Sequence, residues 1–164
     1  MSDHQDLRIE RAVHLLRAAY EKQMAGDLQA AVQLYKASIT EHPTAEAHTF
    51  LGWTYSFLGR YDEAIQECKI AIAVDPDFGN PYNDIGSYFV HLGRLEEAIP
   101  WLEKAKKAKR YEPRHFPYVN LGRVYLKLGR VQDATREFEQ AAFIQGAREE
   151  QDPPGGESEP STVH

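Results

Sequence analysis

A recurring set of small residues is the strongest constraint on this chain. Leu51-Gly52, Ile85-Gly86 and Leu121-Gly122 stand 34 and then 36 residues apart. Three residues after each glycine comes an aromatic, Tyr55, Phe89 and Tyr125. A second glycine follows each aromatic, Gly59, Gly93 and Gly129. Alanines come next at matching places, Ala64, Ala98 and Ala134, and then Ala71, Ala105 and Ala141. A weaker copy lies upstream, where Gly26, Ala31, Tyr35, Ser38 and Pro43 align with Gly59, Ala64, Cys68, Ala71 and Pro76. This copy has Ala18-Ala19 in place of the Leu/Ile-Gly pair. A period of this length means stacked supersecondary units rather than one globular core.

Each unit divides at its second glycine. The stretches before and after it, such as 45–58 and 61–74, carry apolar residues at helical spacing. The glycine supplies the left-handed conformation that ends many helices. Small residues, Gly52 and Ala64, Gly86 and Ala98, Gly122 and Ala134, let the two helices of a unit approach closely, and larger neighbours such as Leu51, Tyr55, Phe89, Leu121, Tyr125 and Phe138 fill the remaining volume. Pro43 and Pro76 fall where one unit hands over to the next. One helix pair cannot bury its apolar face, but stacked pairs can.

On these residues the chain resembles the tetratricopeptide repeat family, most closely in AEAHTFLGWTYSFLGRYDEAIQECKIAIAVDPDF, residues 45–78. The expected fold is all-α, a right-handed solenoid of four tandem helix–turn–helix repeats. The expected units are a partly helical extension over 1–11, a divergent first repeat at 12–44, then repeats at 45–78, 79–114 and 115–148. The third handover carries two extra residues, predicted to lengthen either the second helix of the third repeat or the loop after it. Pro100 falls early in a predicted helix, where it is tolerated. The segment 149–164, EEQDPPGGESEPSTVH, is acidic, almost free of apolar residues and expected to be disordered. No extra helix covering the last repeat is evident, so its outer face is either polar or covered, for instance by another copy of the chain.

Composition narrows the functional classes. With 42% apolar and 27% charged residues the 164-residue chain can bury a modest core. A net charge of −6 gives no electrostatic reason to expect nucleic acid. No apolar run approaches the roughly 18 residues of a membrane span. Residues 1–11 are polar and do not read as a signal peptide. Cys68 is the one cysteine, so no intrachain disulfide forms, and cytoplasm is the expected location.

Motifs for chemistry are absent. His42, His48 and His115 suggest ligands by number alone; no zinc-finger spacing or HExxH occurs, and no metal or cofactor is expected. The glycines make no phosphate-binding loop. Cys68 falls where the family places a bulky core residue and reads as a buried structural thiol. Asp62-Glu63 and Glu96-Glu97 suit helix starts better than an acid/base pair. Lys104, Lys106, Lys107, Lys109, Arg110 and Arg114 form a basic cluster. It reads first as cations favourable near a helix C-terminus. The second reading is a patch for an acidic protein or for the chain's own acidic tail.

The resemblance implies a concave groove lined by the first helix of each pair. Carried over residue by residue, it offers Leu16, Tyr20, Gln23 and Met24; Thr49, Trp53, Ser56 and Phe57; Asn83, Ser87, Val90 and His91; and Val119, Arg123, Leu126 and Lys127. The candidate partner-binding residues are Tyr20, Met24, Trp53, Phe57, Asn83, His91, Arg123 and Lys127, aromatic anchors at one end and cations at the other. Specialised relatives grip chaperone carboxylates with lysine, asparagine and arginine. Those places here hold Leu16, Tyr20, Asn80 and Asp84, or, one repeat later, Thr49 and Trp53 with only Asn120 matching, so that clamp is absent. The leading expectation is a non-catalytic scaffold that binds a peptide or helix of a protein partner. The alternatives are a self-associating structural scaffold and a regulatory subunit of an enzyme complex.

Overall fold

A computed structural model describes residues 2–151. Among these residues the regular structure is eight α-helices. They are α1 (Asp3–Met24), α2 (Leu28–Glu41), α3 (Ala45–Phe57), α4 (Tyr61–Val74), α5 (Asn80–His91), α6 (Leu95–Lys107), α7 (Phe116–Lys127) and α8 (Val131–Gln151). They pack as antiparallel neighbours in four pairs, α1 with α2 through α7 with α8, and the second helix of each pair also packs on the first helix of the next.

The turn inside each pair follows from the glycine period. Gly26, Gly59, Gly93 and Gly129 have φ of 84°, 74°, 75° and 75°, a conformation only glycine adopts cheaply. In the last three pairs an arginine follows the glycine. Its backbone N–H donates to the carbonyl of the repeat aromatic: Arg60 to Tyr55 at 2.9 Å, Arg94 to Phe89 at 2.9 Å and Arg130 to Tyr125 at 2.8 Å. This satisfies a carbonyl that the helix end would leave bare. Each guanidinium also lies over that aromatic ring, 4.6–4.8 Å from its centre, and pairs with a carboxylate three residues on, Glu63, Glu97 or Asp133. The first pair uses Asp27 instead, whose carboxylate accepts from the Ala30 N–H at 3.2 Å.

The core runs as one apolar seam through all four pairs, from Ala19, Ala31 and Tyr35 to Leu121, Val124, Tyr125 and Ala134. The glycines lie where the partner helix comes close, Gly52 against Ala64, Gly86 against Leu102 and Gly122 against Phe138. A Cβ on Gly52 would stand 2.9 Å from the Ala64 carbonyl oxygen, and one on Gly86 would stand 2.5 Å from Leu102. Burying a side chain of leucine size stabilises by roughly 1.5–3 kcal/mol, so Leu51, Ile85, Leu102 and Leu121, all fully buried, are the main anchors.

The two extra residues enter the third handover loop, not the helix: α6 ends at Lys107, and the loop runs from Ala108 to His115 before α7 starts. This loop folds back on the preceding handover. Phe78 and Arg110 form a parallel bridge, with Gly79 N–H to Arg110 O at 2.8 Å and Arg110 N–H to Asp77 O at 3.0 Å. Tyr111 is buried against Gly79, where any Cβ would collide with it. At the chain's ends, α1 runs unbroken from Asp3, so residues 3–11 belong to the first helix. Helix α8 continues through Glu149–Gln151, which corrects the expectation of disorder from residue 149; the rest of that expectation, 152–164, lies outside the described residues.

Candidate functional site

The packing pattern identifies the inner wall. Helices α1, α3, α5 and α7 touch one another in series, whereas α2, α4, α6 and α8 do not. A stack bends toward the row whose members are closest, so the odd-numbered helices line the concave side. The groove is open, and its surface is whatever those four helices leave uncovered.

Its first half is aromatic. Tyr20 meets Phe50 edge-on at 5.8 Å, Phe50 lies 6.5 Å from Trp53, and Trp53 lies 5.1 Å from Phe57. Phe50 also stacks on the buried Tyr35 ring at 6.1 Å, which anchors the row to the core. Aromatic pairs at these separations contribute about 0.5–1.5 kcal/mol beyond area burial. Tyr20 is exposed, Met24 and Phe57 are 52% and 56% exposed, and Trp53 is half-buried between its neighbours. Sequence reasoning missed Phe50, the residue that joins the row. The available signal was disagreement between the copies, since the same place holds Asp84 and Asn120.

The second half is polar and only partly as expected. Asn83 is buried, and its Oδ1 accepts from Asn120 Nδ2 at 3.0 Å, so it ties α5 to α7 and is not open lining. Thr49 and Gln23 are corrected in the same way. The Thr49 hydroxyl donates to the Ala45 carbonyl at 2.7 Å, and Gln23 Oε1 accepts from the Tyr35 hydroxyl at 2.6 Å. His91 is exposed but stacks flat on Tyr61 at 5.3 Å, at the turn end of α5 and away from the aromatic row. Arg123 and Lys127 are exposed on α7. Arg123 borders a shallow depression of about 340 Å³ with His115, Phe116, Asn120 and Gln145.

A third group lies where α4 meets α5. Cys68 is fully buried, and burial pushes its thiol well above the ordinary range, which disfavours the thiolate. Asp84 is half-buried nearby. Burial alone pushes its carboxyl up to about 7, and no hydrogen bond or cation offsets the shift. Its charge in turn helps raise Cys68, Tyr88 and Tyr111. The buried Tyr88 hydroxyl finds no well-directed partner; the nearby Ser56 hydroxyl gives its own proton to the Trp53 carbonyl at 2.6 Å.

The basic cluster is largely structural. Lys106 pairs with Glu103 at 3.2 Å and with Glu137 at 2.9 Å, Arg110 pairs with Asp75 at 2.7 Å and Glu46 at 3.2 Å, and Arg114 donates to the carbonyls of Ala108 and Lys109. Lys104 lies 4.5 Å over the Trp101 ring. His48 is also occupied, its Nδ1 lying 2.7 Å from Glu67 Oε2. Among the described residues, no group of three or more His, Cys, Asp or Glu could hold a metal, and no helix is long and apolar enough to cross a membrane.

Stacked helix pairs, an inner wall built from the first helix of each pair and a groove open along its length define a helical-repeat solenoid. The tetratricopeptide repeat profiles match residues 16–77, 51–113 and 117–144, and the chain belongs to the tetratricopeptide repeat family. It is 32% identical over 91 residues to the small glutamine-rich tetratricopeptide repeat-containing protein 2 of Mycosarcoma maydis, a match covering 54% of this chain and 26% of that one. Among solved structures it resembles Pseudomonas aeruginosa pilF, with TM-score 0.77 and 23% identity over 84% of this chain and 62% of that one. It also resembles the first TPR of Spaghetti (RPAP3) bound to the HSP90 peptide SRMEEVD, with TM-score 0.67 and 19% identity over 74% and 95%. The chain thus spans about a quarter of the curated relative and less than two thirds of pilF. Family membership supports a protein–protein interaction scaffold.

Proposed function

We propose that this protein is a non-catalytic scaffold whose concave groove holds an extended peptide or a helix of a partner protein. The reading takes the four helix pairs as four repeats and the cytoplasm as the place of action. The aromatic row Tyr20–Phe50–Trp53–Phe57 carries the proposal: adjoining rings face an open groove, and two of them are more than two-fifths exposed. Large amphipathic side chains of this kind dominate binding energy when a partner desolvates them. Arg123 and Lys127, on the same wall, meet an acidic group of that partner. The structural neighbour holding SRMEEVD is a peptide complex on the same fold, which supports the mode and not the ligand.

Affinity capture with the native chain and with Trp53→Ala in parallel tests the reading. A partner held by the native chain is expected to weaken on Trp53→Ala by about 2 kcal/mol or more, the range of an interface hot spot. Equal capture by both proteins would remove the groove assignment.

The outer helix favours one second reading, self-association. On α8, Val131 is 61% and Phe143 is 74% exposed. At the opposite end α1 exposes Leu7 and Val13 less fully, and His14, Arg17 and Glu21 stand where α3 has Ala47, Phe50 and Thr54. The two most exposed large apolar side chains both lie on α8, so this reading is a closed α8–α8 dimer. Sedimentation equilibrium of the native chain and Phe143→Ser decides it; a monomer at every concentration removes it.

A further inference from the structure

We propose that Asp84 is the groove's cation-reading residue: the peptide that packs on the aromatic row carries a lysine or arginine beside its apolar anchor, and that charged group meets the Asp84 carboxylate. The inference rests on the groove reading and adds to it the chemistry of the middle subsite.

The repeat's own symmetry locates the residue. In the second pair, Phe50 fills a slot between Tyr20 of the preceding first helix and Tyr35 of the preceding second helix, at 5.8 and 6.1 Å. One unit further on, the residues at those three places are Trp53, Cys68 and Asp84. By this repeat symmetry a carboxylate takes the slot that holds an aromatic ring one unit earlier, on α5, which packs on both α3 and α4.

Among the described residues no cation pairs with this charge and no hydrogen bond satisfies it. The titratable groups that feel its charge are the Cys68 thiol from α4, the Tyr88 hydroxyl from its own helix and the Tyr111 hydroxyl from the 108–115 loop, none of them cationic. Arg123 and Lys127, the basic pair on the groove wall, sit on α7, and among the described residues Asp84 makes no ion pair with them or with any other cation. The fold does not need a carboxylate here either, since phenylalanine and asparagine fill the same slot in the neighbouring repeats. An unpaired, half-buried carboxylate costs stability. A cost without structural return points to a partner that supplies the missing charge. Flanking rings add to the attraction, because a cation over an aromatic face is favoured as water leaves. The groove then reads, in order, an apolar anchor on the Trp53 row, a cation at Asp84 and an acidic group at Arg123.

A phage-displayed random peptide library is the probe, panned in parallel on the native chain, Asp84→Asn and Trp53→Ala. The native chain is expected to enrich peptides with an aromatic or leucine anchor and a lysine or arginine close by. Asp84→Asn is expected to keep the anchor and lose the basic preference, and Trp53→Ala to lose the anchor. Fluorescence polarisation then compares an enriched peptide with its Lys→Gln version. The lysine peptide should bind the native chain roughly tenfold more tightly, and by less than about twofold once Asp84 is Asn. The Lys→Gln comparison on the native chain also stands without any protein variant, should Asp84→Asn fail to fold. Anchors enriched without a basic preference, or a basic preference that survives Asp84→Asn, overturn the Asp84 assignment and leave the groove reading intact. No enrichment on the native chain overturns both.

Discussion

Asp84 and Gly86 stand two residues apart on α5 and answer to different forces. The Asp84 carboxyl is pushed from its ordinary 3.8 up to about 7 by burial. Its folded value thus lies above its unfolded value. The stability linked to its proton is fully present below about pH 4, declines as pH rises and is gone above about pH 7. Asp84→Asn removes that decline. Urea unfolding is expected to show the variant more stable than the native chain by about 1–3 kcal/mol at pH 8, and equal to it near pH 4. A native chain as stable at pH 8 as at pH 4 would contradict the uncompensated charge. Gly86 is governed by space. A Cβ there meets Leu102 at 2.5 Å, so Gly86→Ala should lose about 1–3 kcal/mol by overpacking. The same change at Gly146, in α8 with nothing within 4 Å, should gain about 0.5–1 kcal/mol. Thermal melts of the two variants are expected to shift in opposite directions. Both the glycine period and the role of Gly86 are legible in the sequence, because close helix approach demands a missing side chain. The state of Asp84 is not, because it depends on what α4 and the 108–115 loop place around it.

At the scale of elements, the turn within each pair is a repeated device: glycine reverses the chain, arginine closes the helix end and covers the ring, and a carboxylate holds the arginine. Sequence reasoning found the glycine and passed over the arginine, whose contacts with ring and carboxylate exist only once the turn has formed. The third handover shows the converse. The two-residue insertion is visible in the spacing, yet spacing alone does not choose between helix and loop. Tertiary contacts settle it, because Tyr111 finds the empty space over Gly79 and Arg110 finds Asp75 and Glu46. Tyr111→Ala should cost about 3 kcal/mol, as for other large buried aromatics. It should also release the loop, so that the Gly79 amide, bonded to the Arg110 carbonyl, exchanges its hydrogen markedly faster. Unchanged protection of Gly79 would show that the bridge does not depend on Tyr111. The longer reach of α8 has a simpler origin: Arg148-Glu149-Glu150-Gln151 are all good helix formers, and the first proline comes only at position 153.

The whole molecule is a stack in which each helix touches only near neighbours. Its stability is therefore close to a sum of unit and interface terms, and its ends have one interface fewer than its middle. Native-state hydrogen exchange is expected to be slowest in α4–α6 and faster in α1 and α8. A single uniform protection level would instead mean fully cooperative opening.

What the sequence by itself determined is the class of architecture. Small and large residues recur at helical spacing, and those local packing rules need no knowledge of the neighbouring unit to be read. The tertiary structure alone decided which side chains the groove presents. Successive helix residues point about 100° apart, so a single step along α5 separates Asn83, tied to Asn120, from Asp84, left without a partner. It likewise separates the buried Thr49 from Phe50 in the aromatic row. Which of these directions faces solvent depends on the helix that happens to stand opposite, and only the assembled stack supplies that.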